Sequence, residues 1–189
     1  MELLAPAGSR QALTAAVQSG ADAVYLGGPQ FGARYSAENF TIEEMKTWVD
    51  YCHLYGVDVH VTVNTLVKEK EFESLKEYLK QLNKIGVDAL IVQDMGAAEI
   101  IKKTVPDMTL HASTQMTVTS LEGVKYLEDM GFSRVVLARE LSEKEIEHIC
   151  KNQSKIAIGY GNRSFCSRCN LYVLLRAVPY VEYFRRQER

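Results

Sequence analysis

Apolar and polar positions along most of the chain follow one repeating pattern: a helical segment, a glycine, and a short run rich in β-branched residues. Each glycine falls where a helix needs a left-handed residue after its last turn, which glycine adopts without a Cβ clash. The runs that begin with these glycines are Gly20–Gly28, Gly56–Asn64, Gly86–Asp94 and Gly131–Glu140. The pattern therefore predicts strands that follow helices at 9–19, 41–55, 69–85 and 119–130.

Two helix starts carry the capping-box pattern of a hydroxyl residue followed three positions later by glutamate, at Thr41–Glu44 and Ser142–Glu145. Adding the apolar runs Leu3–Ala7 and Thr109–Met116 gives six predicted strands. Strands that alternate with helices form parallel sheets with crossover helices. We expect an α/β fold, an incomplete TIM-type (β/α)8 barrel with about six parallel strands. An open doubly wound sheet also fits the alternation, although no Gly-x-Gly-x-x-Gly motif follows the first strand.

The charge balance changes near residue 158. Residues 1–158 contain twelve lysines, four arginines and 22 acidic residues, for a net charge of −6, whereas residues 159–189 contain six arginines, no lysine and two glutamates, for +4. Basic tails usually mix lysine with arginine and are rarely interleaved with apolar runs such as 172–175. We therefore divide the chain into a barrel-like part, 1–158, and an arginine-rich tail, 159–189.

Polar residues gather where the predicted strands end, which is where (β/α)8 barrels carry their working groups. Within Thr109–Met116, strand alternation puts His111, Ser113 and Gln115 on one face, directed into the barrel mouth. A hydrogen-bonded interior histidine, a plain Arg139–Glu140 ion pair and a helix-capping Asn64 are the structural alternatives. The candidate catalytic residues are His111, Gln115, Arg139 and Glu140, and the candidate substrate-binding residues are Gly28, Arg34, Asn64 and Ser113.

No metal site is predicted. His53 falls on a helix and His60 within a strand, and we expect no carboxylate beside either. Cys166 and Cys169 form an isolated C-x-x-C pair, which offers two ligands where a structural zinc needs four. The net charge of −2 gives no general case for nucleic acid binding. Without a signal peptide or a long apolar run, we expect a cytoplasmic protein with no membrane contact.

Six stretches of the sequence resemble peptidase family U32, in order across residues 1 to about 156: Glu2–Gly8, Gly20–Gly28, Phe31–Arg34, Val63–Thr65, His111–Gln115 and Ala138–Ser142. The resemblance implies a barrel related to the (β/α)8 fold. It also implies an iron–sulfur-dependent hydroxylation factor for tRNA, ribosomal RNA or the ubiquinone ring, with the collagenase-like protease of the family name as the alternative. The intact family member would hold a four-iron four-sulfur cluster and take RNA or a small anionic substrate.

The tail departs from this resemblance. The family continues into a seventh strand resembling Glu-Val-Phe-Val-His-Gly-Ala and then a cysteine-rich stretch that ligates the cluster. Codons for Ser164–Cys169 can be chosen so that a one-base shift reads Val-Phe-Val-His-Gly-Ala. We interpret residues 159–189 as out of frame, with no cluster ligand at Cys166 or Cys169. We therefore expect no cofactor in this chain and an inactive fragment. We also expect non-native self-association, because six strands cannot close a barrel.

Overall fold

Parallel strands form a ring in a computed structural model of the chain, which describes residues 2–33, 40–152, 156–161 and 171–174. The strands are β1 (Glu2–Pro6), β2 (Ala23–Gly27), β3 (Asp58–Val63), β4 (Ala89–Val92), β5 (Thr109–Ala112), β6 (Arg134–Leu137), β7 (Ala157–Gly161) and β8 (Leu171–Leu174). The helices are α1 (Arg10–Gln18), α2 (Ile42–Leu54), α3 (Phe72–Ile85), α4 (Met95–Thr104), α5 (Leu121–Asp129) and α6 (Glu143–Asn152). Short 3-10 turns span Glu69–Glu71 and Thr114–Met116.

Each strand pairs in parallel with the next, and β8 pairs with both β7 and β1, so the described strands form a closed barrel. The expected parallel barrel is confirmed, and the open doubly wound sheet is excluded. All six expected strands are present, but the expected number is too low by two. β7 was not predicted, and β8 lies within the arginine-rich tail. The interpretation of residues 159–189 as out of frame remains a prediction.

Helix ends follow the predicted signals. Gly86 ends α3 with φ +86°, and its N–H donates to the carbonyl of Asn83. Thr41 and Glu44 form the complete capping box at the start of α2. At α6 the box is modified, because the Ser142 hydroxyl donates to the carboxylate of Glu145, which also accepts from the Ser142 N–H.

Side chains of the strands alternate between two cores. The larger core lies between the barrel wall and the helices and contains Val59, Val61 and Val63 of β3. The smaller one lies inside the barrel and consists of Leu4, Ala23, Tyr25 and Ile91. The inward positions of β3 are polar, so hydrophobic packing fills only part of the barrel interior.

Strand β5 is shorter than predicted. It ends at Ala112, and Ser113 is the N-cap of a 3-10 turn. The Ser113 hydroxyl accepts a hydrogen bond from the N–H of Gln115, and its carbonyl accepts one from the N–H of Met116. The strand alternation therefore stops before Gln115. His111 and Ser113 both lie on buried positions, with 3% and 4% of their surfaces exposed.

Candidate functional site

An amide pair joins three loops at the C-terminal rim of the barrel. Asn64 follows β3, and its Nδ2 donates to Gln115 Oε1 at 2.7 Å, beyond the end of β5. Asn64 Oδ1 in turn accepts from the N–H of Ala33 at 3.0 Å, in the loop that follows β2. The Thr65 hydroxyl donates to the carbonyl of Phe31 in the same loop. The structure thus brings Asn64 and Gln115 together as the sequence predicts. The helical segments that follow β3 are capped by Lys68 and Glu71, so capping is not the role of Asn64.

Ser113 lies beneath this amide pair. Its hydroxyl accepts from the N–H of Gln115 at 3.2 Å, and its own N–H donates to the carbonyl of Val92 at the end of β4. Ser113 therefore fixes the turn that carries Gln115. Its position suits a supporting residue better than an exposed binding group.

Gly28 has a packing role in the structure. A Cβ at this position would overlap the hydroxyl of Tyr78 on α3 and lie 2.9 Å from Cε of Met45. Tyr78 is buried, its hydroxyl has no hydrogen-bond partner among the described residues, and burial raises its pKa. The predicted substrate-binding role of Gly28 remains untested, and the close approach of Tyr78 is by itself sufficient reason for a glycine.

Arg139 and Glu140 lie in a turn beyond β6, and both are exposed. The rim is held at this point by the N–H of Ala138, which donates to the carbonyl of Val118 at 2.9 Å. Arg139 and Glu140 do not form the ion pair that was the structural alternative, within the part of the chain that the structure describes. Arg34, the remaining candidate, lies outside the described residues.

His111 lies inside the barrel and belongs to a buried polar network. Arg134 is the first residue of β6, and its Nη1 donates to His111 Nδ1 at 3.3 Å. Arg134 Nη2 lies 3.5 Å from Oε2 of Glu2, the first residue of β1. The rings of His111 and His60 meet edge to face at 4.7 Å. The network therefore extends from the N-terminal end of the barrel to its middle, instead of into the mouth, which was the expected position of His111.

Burial sets the protonation of this network. It lowers the pKa of His60 to about 4 and that of His111 to about 2, and the neighbouring charge of Arg134 lowers both further in the same direction. Burial also lowers the pKa of Arg134 to about 10. The pKa of Glu2 is raised, chiefly by burial and against the effect of Arg134. At neutral pH both imidazoles are therefore uncharged, and Arg134 is the buried cation.

Carboxylates accompany both histidines, so the expectation that none would lie beside His53 or His60 was wrong. His53 Nε2 is 2.8 Å from Oδ2 of Asp88. A carboxylate oxygen of Glu2, a carboxylate oxygen of Asp58 and a ring nitrogen of His60 lie within 4.8 Å of one another. The sequence signal was the alternation from 57 to 63, in which every second residue is valine and the others face inward. Arg134 and Glu2 gave no such signal, because they are 132 residues apart.

The described residues do not fit an iron–sulfur cluster. A four-iron cluster takes four thiolates, and the described cysteines are Cys52 on α2 and Cys150 on α6, both buried. Burial raises the pKa of Cys52 to about 11, which disfavours the thiolate. Cys166 and Cys169 lie outside the described residues, as does most of the arginine-rich tail. No helix in the described ranges has the length and apolar character that crossing a membrane requires.

Several known proteins are similar to this chain. The 23S rRNA 5-hydroxycytidine C2501 synthase of Escherichia coli K12 is 44% identical over 149 residues, which cover 79% of this chain and 22% of that protein. The tRNA hydroxylation protein P1 of Bacillus subtilis 168 is 40% identical over 148 residues, covering 78% of this chain and 35% of the relative. The chain thus spans between a fifth and about a third of the length of these curated relatives.

A solved structure supports the fold. The U32 peptidase Mk0906 superimposes with a TM-score of 0.71 at 18% identity, over 89% of this chain and 71% of that one. The model of Peptidase family U32 matches residues 8–161, which include β7 and end ten residues before β8. This match and the relatives agree with the resemblance seen in the sequence, and the chain belongs to peptidase family U32.

Proposed function

We propose that the intact protein to which this barrel belongs hydroxylates C5 of a pyrimidine base in tRNA or ribosomal RNA. The observation that carries the proposal is the amide pair of Asn64 and Gln115 at the C-terminal rim, in a chain whose relatives include proteins named for RNA hydroxylation. The rim is the end of the fold at which barrel enzymes bind their substrates.

An amide pair suits a nucleobase. Base edges present hydrogen-bond donors and acceptors in one plane, and the amides of asparagine and glutamine match such patterns with an N–H and a carbonyl group. Among the described residues, the N–H groups of Gln115 Nε2 make no hydrogen bond, whereas both polar atoms of the Asn64 amide are engaged. Asn64 therefore orients Gln115, and Gln115 presents its donors to the base.

Arg139 on the same rim offers a binding group for an anionic substrate. Arg139 follows β6, is exposed and has no ion pair among the described residues, so its guanidinium can bind a phosphate through two parallel hydrogen bonds. Enzymes that modify a base within RNA read the exposed base and hold the backbone next to it. Gln115 and Arg139 would divide these two tasks. Catalytic roles for His111 and Glu140 remain predictions for the same reaction.

The family name makes a peptidase the second candidate. A serine peptidase needs a hydroxyl that donates to a histidine which a third group orients. Here the Ser113 hydroxyl accepts from a backbone N–H, and His111 Nδ1 accepts from Arg134. No serine hydroxyl donates to a histidine in the part of the chain described, so the geometry supports hydroxylation better than proteolysis.

The 189-residue chain contains the C-terminal rim of the barrel. Its described residues do not include the four thiolates that a four-iron cluster takes. We therefore assign it the substrate-binding part of the reaction and no activity of its own. We infer that the intact protein acts in the cytoplasm, where it would meet tRNA and ribosomes.

The test is nucleoside analysis of RNA by liquid chromatography and mass spectrometry. A strain deleted for the gene should lack a 5-hydroxylated pyrimidine, and the gene restored in frame past codon 158 should return it. Gln115→Ala and Arg139→Ala should each lower the hydroxylated nucleoside at least about tenfold, with His111→Gln and Glu140→Gln compared in the same assay. Gln81→Ala, an exposed glutamine on α3, is the matched control. An unchanged nucleoside profile in the deletion strain would contradict the proposal.

A further inference from the structure

The N-terminal mouth of the barrel holds a second cluster of polar side chains, at the opposite end from the rim. Glu2 begins β1 and Asp58 begins β3, and His60 lies two residues further along β3 on the same inward face. The cluster offers two carboxylate oxygens and one imidazole nitrogen, all within 4.8 Å of one another. A metal ion placed between three such atoms could reach each of them with small side-chain rotations.

His60 provides an independent indication of a ligand. Only 2% of its surface is exposed, and its Nδ1 is buried with no hydrogen-bond partner among the described residues. Buried ring nitrogens in folded proteins almost always have a partner. A buried imidazole nitrogen without a hydrogen-bond partner keeps its lone pair or its N–H unused, and a neutral imidazole can offer such a lone pair to a metal ion. The rings of His60 and His111 are in edge-to-face contact, and this contact gives His60 Nδ1 no hydrogen-bond partner.

The charges around the cluster favour a cation. The negative charges of Asp58 and Asp22 help to raise the pKa of Glu2, and that of Asp88 helps to raise the pKa of Asp58. Four carboxylates of the described residues therefore lie near this mouth. Two of them have backbone partners: Asp22 accepts from the N–H of Leu3, and Asp88 from that of Val59. The opposing cations are Arg134, which lies 3.5 Å from Glu2, and His53 when protonated, which is paired with Asp88. Among the described residues, the carboxylates therefore outnumber the cations that face them.

We propose that Glu2, Asp58 and His60 bind a divalent transition-metal ion at the N-terminal mouth of the barrel. Two carboxylates with one imidazole suit Mn²⁺, Fe²⁺ or Zn²⁺, whereas Mg²⁺ and Ca²⁺ prefer sites made of oxygen alone. Asp58 is exposed and Glu2 is half-buried, so an ion can enter from solvent, and water completes its coordination. The ion would tie β1 to β3 across β2 and stabilise the barrel independently of the rim.

Mn²⁺ binding measured by electron paramagnetic resonance tests the site. The signal counts free ion, so it also reports on protein that has associated, and the chain is prepared without a histidine tag. We expect one Mn²⁺ per chain, displaced by Zn²⁺. Asp58→Asn and His60→Gln should each weaken binding at least about tenfold. Asp107→Asn, an exposed acid before β5, is the matched control and should change nothing.

A third variant tests whether the positive charge of Arg134 opposes metal binding. Arg134→Gln removes the cation nearest to Glu2, so Mn²⁺ should bind more tightly. Asp58 is exposed and its replacement leaves the core intact, so Asp58→Asn gives an answer even if His60→Gln fails to fold. The proposal is overturned if neither Mn²⁺ nor Zn²⁺ binds at millimolar concentration, or if Asp58→Asn binds as the unaltered chain does.

Discussion

The imidazole rings of His60 and His111 meet edge to face inside the barrel, with their centroids 4.7 Å apart and their planes at 87°. The rings belong to β3 and β5, which pair with β4 from opposite sides, so this contact crosses the barrel interior. Both side chains are buried next to the guanidinium of Arg134. A proton on either ring would place a second positive charge in this interior, where water cannot solvate it.

We expect the barrel to lose stability between pH 8 and pH 5.5. The unfolded chain takes up a proton on each histidine near pH 6.5, whereas the folded pKa values are about 4 for His60 and about 2 for His111. Because the unfolded state binds more protons in this window, the free energy of unfolding falls as pH falls. One pH unit below 6.5 the loss is about 1.4 kcal/mol per histidine, or about 3 kcal/mol for both. Urea unfolding at the two pH values measures it, with a chelator present so that no metal ion is bound at His60.

The control for the pH experiment is His148→Gln, because His148 is exposed on α6. This variant should keep the full pH dependence, whereas His60→Gln should lose about half of it. Equal stability at pH 8 and pH 5.5 in the unaltered chain would show that the two rings are not buried as a neutral pair.

Gly28→Ala should destabilise the barrel by about 1–3 kcal/mol, the usual effect of overpacking a filled core. The new methyl group would overlap the Tyr78 hydroxyl. Gly8→Ala is the matched control, since nothing lies within 4 Å of a Cβ at position 8. Thermal melting compares the two, and the double change Gly28→Ala with Tyr78→Phe should recover part of the loss. A Gly28→Ala chain as stable as Gly8→Ala would return Gly28 to the predicted role in substrate binding.

Local sequence signals predicted the barrel well. The glycine after each helix and the Thr41 capping box gave the element boundaries to within a few residues. β7 was missed because Ala157–Gly161 contains two glycines and little of the β-branched character of the other strands. β8 was missed because the arginine-rich composition of residues 159–189 separated them from the predicted barrel. Strand pairing with β1 and β7 depends on contacts distant in sequence, which composition does not reveal.

The candidate site was predicted less completely, for a physical reason. Asn64 and Gln115 could be anticipated because each follows a strand, and strand ends meet at one rim. His111 was expected at the same rim because it shares a strand face with Ser113 and Gln115, but it pairs in register with Arg134, the first residue of β6, and so lies deeper in the barrel. The network of Glu2 and Arg134 was not anticipated, because each is the first residue of its strand and they meet only when the barrel brings β1 and β6 together.

We expect the 189-residue chain to bind no four-iron four-sulfur cluster. Its cysteines number four in all, and Cys52 and Cys150 are buried in helices on the outside of the barrel wall. Anaerobic reconstitution followed by visible absorption and iron analysis measures the cluster content. The product of the gene restored in frame is the positive control and should take up a cluster. A stoichiometric four-iron cluster in the 189-residue chain would show that its tail supplies ligands.

Shortening the tail tests whether β8 closes the barrel. Residues 171–174 pair with β1 on one side and β7 on the other, so a chain ending at residue 161 would expose the backbone N–H and carbonyl groups of two strand edges. We expect light scattering to show stronger association of this chain than of one ending at residue 175, which keeps β8. Self-association of the full 189-residue chain, predicted from sequence, is measured in the same series. If all three chains associate equally, strand β8 contributes nothing to closure, and the interpretation of the tail as out of frame is favoured.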